Sequence, residues 1–191
     1  MKYKTSAIEK IFRLSQYLLS RLRGVVIARL HYLHKCGADC RFGSMFRIRG
    51  GKYIEIGNKF KAGHLFRLET FPEHSRNTFE ENFISIGDGV HCGNNVHIGS
   101  ITGVRIDNDV LIGSNITIID HNHGYAWNDI SNESKPSERP LTSKGKIIIE
   151  KNVWICDGCI ILGGTIIKAN SVVPANSVVK GHFQGMSVIK C

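Results

Sequence analysis

One inward-pointing aliphatic residue in every six constrains this chain more than any other feature. Ile86, Cys92 and Ile98 form one series, and Ile106, Ile112 and Ile118 the next. Ile149, Ile155 and Ile161 follow, then Ile167, Val173 and Val179. Upstream, Ile56, Ala62 and Leu68 fit the same spacing, and Cys36, Phe42 and Ile48 fit it less cleanly. Glycine often comes just after the aliphatic residue, as at Gly57, Gly87 and Gly113, and a small or β-branched residue four after it, as at Val90, Cys159 and Thr165. A strict period of six is not that of a helix, and plain alternation would not single out every third inward residue. The pattern describes a coil with three short flat sides, whose corners need small residues or residues that tolerate a left-handed backbone. Three units close one triangular turn, and stacked turns pair as parallel strands. The expected fold is an all-β parallel β-helix over residues 36–191. Its inward columns, such as Ile86/Ile106/Ile149/Ile167, would bury apolar surface worth roughly 25 cal/mol per Å².

The interruptions say where to look for function. After Ile48 the next unit arrives two residues late, and after Leu68 twelve late. After Ile98 the delay is two residues, and after Ile118 it is twenty-five. Each delay follows the third member of a series, so all of them leave from one corner of the triangle. Loops at 69–83 and 120–146 therefore hang from a single edge of the prism. Binding residues gather on loops that a rigid scaffold holds.

Residues 1–35 form a separate basic segment. Lys2, Lys4, Lys10, Arg13, Arg21, Arg23, Arg29 and Lys35 face only Glu9 there, so the segment carries most of the formal charge of +9. A nucleic-acid binder interleaves basic and aromatic residues across its main fold. Here the charge belongs to an appendage, and no nucleic-acid partner is expected. Ile8, Ile11, Phe12, Leu18, Leu19, Leu22, Val26, Leu30 and Leu33 recur at three- and four-residue steps, the mark of one or two amphipathic helices. Such a segment can cover the open edge of the first coil, or lay a basic face on anionic lipid as a peripheral membrane contact. No run reaches the ~18 apolar residues of a membrane span. The basic start also lacks the apolar block and cleavage site of a signal peptide. The expected compartment is the cytoplasm, with the inner face of the membrane open to it through the helix. Cys36-x3-Cys40 and Cys156-x2-Cys159 have zinc-like spacing. The six-residue period already accounts for cysteines as small apolar residues, so no metal is expected.

The stretch IIDHNHGYAW, Ile118–Trp127, stands where the rhythm breaks for longest. His121 and His123 lie at the root of that loop, just past the last inward residue of a coil. Histidine changes charge near neutral pH and suits the removal of a hydroxyl proton. Asp120 is placed to fix a ring tautomer. Tyr125 and Trp127 can stack on a sugar ring or pin the loop.

The repeat over residues 36–191, the histidine loop and the NVWI motif (Asn152–Ile155) together resemble the hexapeptide-repeat acyltransferases. Within that family the chain looks like the sugar O-acetyltransferases, such as the galactoside and maltose enzymes and those that modify bacterial surface polysaccharides. The resemblance implies a left-handed β-helix, acetyl-CoA as acyl donor, and a homotrimer with each site between two prisms. Counted without gaps from Ile112, the family's catalytic histidine falls on His123, and the polar residue before the first histidine keeps His121 as the alternative. By the same count Trp154 lines the acetyl-CoA channel and the backbone N–H of Asp157 donates to the oxyanion. Ala175 and Lys180 line the pantetheine arm, and Lys168 joins Lys180 as a phosphate partner by charge. The run Arg67-Leu68-Glu69 matches an arginine–leucine–acid run of the polysaccharide branch and marks the acceptor side. Two departures stand out. Cys156 replaces a usual glycine, and the chain stops at SVIKC where the family has Gly-Asn-Pro-Ala, a difference that touches the outer CoA site.

The implied function is acetyl-CoA-dependent acetylation of a sugar hydroxyl of an O-antigen or capsule. The same scaffold also serves N-acetylation of an amino-sugar nucleotide, or acetylation of an antibiotic. Zinc carbonic anhydrases use this fold too, but His91 and His97 are six apart and would fall on different sides of one coil. A non-catalytic prism is the remaining alternative, and the intact histidine loop and Trp154 argue against it.

Overall fold

In the computed structural model of the chain, residues 7–30, 32–74, 84–124 and 135–189 are described. The six-residue period becomes three parallel sheets that form the sides of a prism. Face 1 stacks seven short strands from Lys35–Cys36 to His182–Phe183. Face 2 stacks six from Arg41–Phe42 to Val172–Val173, and face 3 stacks six from Arg47–Arg49 to Val178–Val179. The expected columns are the paired residues. They are Ile86–Ile106–Ile149–Ile167 on face 1, Cys92–Ile112–Ile155–Val173 on face 2 and Ile98–Ile118–Ile161–Val179 on face 3. Cys36, Phe42 and Ile48 stand at the feet of the same columns, through Ile56, Ala62 and Leu68. The least regular unit is a full coil.

The corners explain the period. Three places after the inward aliphatic the backbone turns left-handed, with φ of 53–60° at Asn95, Asp109, Asn115, Asn152, Asn170 and Asn176. Asparagine and aspartate tolerate that region at least cost among side-chain-bearing residues. The glycine directly after the aliphatic has a different task. A Cβ on Gly87 would lie 2.4 Å from the Asn108 side-chain oxygen, and one on Gly113 would lie 2.3 Å from that of Asp157. Glycine leaves room for a ladder in which Asn108 accepts the Asp88 N–H and Asp157 accepts the Ser114 N–H.

The core changes character along the axis. In the first two coils Phe42, Phe60 and Phe66 are fully buried, with ring centroids 5.5–6.3 Å apart; Phe60 and Phe66 stand four after the inward residue, where small or β-branched residues were expected. Small Ala62 and Cys92 share a column with Phe42, as close packing of a fixed cross-section demands. In the last coils the corner residues are Thr165, Ser171 and Ser177, whose buried hydroxyls donate to the carbonyls of Leu162, Lys168 and Pro174.

Among the described residues a single α-helix, α1 (Ala7–Arg29), precedes the prism and covers the first coil. Gly24 lets it approach the backbone there: a Cβ would sit 1.9 Å from the Cys40 carbonyl oxygen. Arg23 donates to the Phe42 carbonyl at 3.1 Å, and Ile27 is buried beneath the helix. Among the described residues no helix is long and apolar enough to cross a membrane. The described cysteines are all free, and no three His, Cys, Asp or Glu side chains gather there to hold a metal. His91 lies on face 2 and His97 on face 3, as their spacing requires.

Candidate active site

The two-residue delay after Ile98 builds the first part of the site. It lets residues 100–103 curl around the carboxyl of Asp120, which is 1% exposed. One carboxyl oxygen accepts from the Ser100 hydroxyl and from the N–H groups of Thr102 and Gly103, each at 2.8 Å. The other accepts the Ile101 N–H at 2.9 Å and lies 3.0 Å from Nδ1 of His121. The carboxyl is surrounded by donors, so hydrogen-bond accounting assigns a proton to Nδ1 of His121. That leaves Nε2 with its lone pair, the state a general base needs.

His121 belongs to a short antiparallel pairing of His121–Asn122 with Thr142–Ser143, which closes the root of the long loop. Its side chain is 10% exposed, and it borders a cleft of about 100 Å³ lined by Ile119, Asn122, Lys144, Leu162, Gly163 and Lys180. His123, two residues on, is exposed. Gly99 lies beneath the ring: a Cβ there would sit 3.3 Å from Cε1 of His121 and 3.4 Å from Nε2 of His97. Phe71 meets the His121 ring edge-on at a centroid distance of 5.3 Å, with the Arg49 guanidinium 4.7 Å over the other ring. The segment after Leu68 thus reaches the histidine.

Below His121 on face 3 is a second polar cluster. Glu69 is buried, yet it pairs with Arg47 at 3.1 Å, Arg67 at 2.6 Å and Nε2 of His97 at 3.1 Å. Burial by itself would raise the Glu69 pKa, but the hydrogen bond and charge of Arg67, with His97 and Arg47, outweigh it and hold the carboxyl below its ordinary value. His97 is also shifted down, first by burial and then by Arg67, against the opposing pull of Glu69. Glu69 and His97 therefore stand on successive strands of face 3, and His121 follows at its edge with face 1. Arg67, Glu69, Asp120 and His121 were legible in the sequence as candidates. Phe71, Ser100 and Arg47 were not, and His97 stood out only by its six-residue spacing from His91. Their one available signal was the position of the insertions.

No protein-family model matches the chain. It is 34% identical over 144 residues to WbbJ of Escherichia coli K12, a protein that carries the name of a lipopolysaccharide-biosynthesis O-acetyltransferase; the match covers 74% of this chain and 67% of WbbJ. The chain belongs to the hexapeptide-repeat acyltransferases. Its structure resembles a variant of the N-acyltransferase AntD from Bacillus cereus, solved with dTDP-4-amino-4,6-dideoxyglucose and coenzyme A. The TM-score is 0.66 at 18% identity, over 81% of this chain and 76% of AntD. It also resembles the hexapeptide-repeat acetyltransferase VCA0836 of Vibrio cholerae, solved with acetyl coenzyme A. There the TM-score is 0.54 at 21% identity, over 97% of this chain and 85% of the other. The fold is a left-handed parallel β-helix preceded by one helix.

In this acyltransferase most of the remaining candidates lie elsewhere on the prism. Trp154 points outward from face 2 and is 48% exposed. Asp157 and Ala175 stand at the edge between faces 2 and 3, one coil apart, whereas His121 is at the edge between faces 3 and 1. Lys168 sits at the remaining edge, paired with Glu150 at 2.7 Å. Of these residues only Lys180 shares the cleft with His121. Tyr125 and Trp127 lie outside the described residues.

Proposed function

We propose that the protein is an acetyl-CoA-dependent O-acetyltransferase that acetylates a sugar hydroxyl of a bacterial surface polysaccharide, with His121 as general base. The Asp120–His121 pair carries the reading: a buried, fully bonded carboxylate holds the ring in the tautomer with Nε2 free. His121 Nε2 takes the hydroxyl proton as the oxygen attacks the thioester carbonyl carbon. The tetrahedral oxyanion then collapses, the carbon–sulfur bond breaks, and the imidazolium returns its proton to the departing thiolate. No covalent enzyme intermediate forms. Glu69, Arg67 and His97 offer one acceptor and several donors to sugar hydroxyls on the same face.

The distance in the fold between His121 and Trp154 favours a homotrimer in which a neighbour's Trp154, Asp157 and Ala175 complete the donor groove, working in the cytoplasm. The name of WbbJ supports the polysaccharide acceptor. The likeness to AntD supports a second reading, N-acylation of an amino-sugar nucleotide. Thiol release from acetyl-CoA with paired hydroxyl and amino sugar acceptors tests both. Acceptor-dependent release lost in His121→Ala but kept in His123→Ala is the expected outcome. Release with amine acceptors alone would replace the first reading with the second. Loss in His123→Ala alone would move the base to the neighbouring histidine.

A further inference from the structure

The helix that covers the first coil turns its most apolar side away from it. Ile8, Phe12, Leu14, Leu18, Leu22 and Val25 are 46–80% exposed. They recur at helical spacing and form a stripe wider than the roughly 100° that a core-facing helix needs. The contacts with the prism come instead from the opposite side, through Gly24, Arg23 and Ile27. Capping and whatever the stripe does are therefore separate uses of one helix.

The charge around the stripe selects its occupant. Lys10, Arg21 and Arg23 border the stripe, with Arg21 also paired to Asp39 at 3.0 Å and Arg23 bonded to the prism, while Glu9, the one acidic residue of α1, is taken up by Arg13 at 2.6 Å. Tyr17 and Arg21 also form one wall of an open groove of about 680 Å³. Its floor carries Arg41, Lys61 and His91 on successive rungs of face 2, with Asp39 and Asp109 at its margin. Lys61 and His91 are both shifted toward their neutral forms, first by burial and then by the neighbouring cations. A second copy of this helix would bring like charges together. A bilayer with anionic headgroups takes both the apolar stripe and the cations beside it, because lysine and arginine extend their stems along apolar surface and keep their charge at the headgroups.

We propose that α1 is an interfacial docking helix for an anionic phospholipid surface. The apolar stripe lies at the acyl boundary and the flanking cations contact headgroup phosphates. The prism then stands on the membrane by its first coil, and His121 is three rungs above it, roughly 15 Å at ordinary strand spacing. An acceptor carried on a lipid would reach that height.

Co-sedimentation of the full chain with vesicles tests this. Phosphatidylglycerol–phosphatidylcholine vesicles should bind at least tenfold tighter than phosphatidylcholine alone, with affinity falling as salt rises. Phe12→Glu with Leu22→Glu should reduce binding tenfold or more, and Lys10→Gln should cost roughly fivefold. Melting temperature and circular dichroism should not change, because these side chains do not touch the prism. Equal binding to both vesicle types, or none, overturns the proposal. So does binding that millimolar inorganic pyrophosphate abolishes while the apolar variants leave it intact, since that identifies a free-anion site. If the glutamate variants change the oligomeric state and not vesicle binding, the stripe belongs to a second copy.

Discussion

Asp157 and Asp120 make the same bond for different ends. Asp157, at the edge between faces 2 and 3, accepts one N–H from the corner of the coil below and continues a ladder of Asn, Ser and Asp side chains. Asp120, at the edge between faces 3 and 1, accepts three N–H groups and a hydroxyl, and has a bond left for His121. At the regular edge the bond locks one coil on the next. At the interrupted edge the extra backbone satisfies the carboxylate so well that it can orient a ring. A repeat protein makes a site by spending its insertions at one corner and keeping the others uniform.

The comparison breaks most sharply at the ring. His121→Ala should lower turnover by roughly 10²–10⁴-fold, the usual worth of a general base, with the melting temperature nearly unchanged. Next comes the pair of aspartates. Asp120→Asn should cut turnover about 100-fold or more and also lower stability, since an amide presents a donor where only acceptors fit. Asp157→Asn should lower stability by about 1 kcal/mol and leave turnover within a few-fold. Equal kinetic effects from the two would end the distinction between the edges.

Gly99→Ala is a smaller probe. Its Cβ would press on both His97 and His121 at 3.3–3.4 Å, and about a tenfold loss in turnover is expected, with substrate binding less affected. The smallest effect concerns pH. The pKa of His97 is lowered in the fold, so the unfolded chain takes up a proton first as pH falls below about 6.5. Stability should fall with pH from there downward, and His97→Gln should flatten that limb in melts from pH 7.5 to 5. Glu69 works in the opposite sense to a raised group: its contribution is complete above its unfolded value and is lost as pH falls toward its lower folded one.

The columns, the three faces and the interrupted edge could be read from residue spacing, because a period of six ties each inward position to the coil above and below. The site was legible only in part. Asp120 and His121 are adjacent in the chain, so their pairing could be suspected. Phe71 meets His121 from 50 residues earlier, Ser100 bonds the Asp120 that holds it from 20 residues earlier, and His97 shares the space over Gly99 with it. The contrast between His121, held against Asp120, and the exposed His123 also appears only in the fold, because neighbours in sequence can differ in burial and bonding. What the sequence by itself determined is the repeat, its register and the corner where it fails; these follow from local sterics and the burial of every sixth residue. What only the tertiary structure decided is which side chains meet at that corner and which face of α1 is left uncovered. Both depend on how far each insertion carries the chain before the next coil stacks.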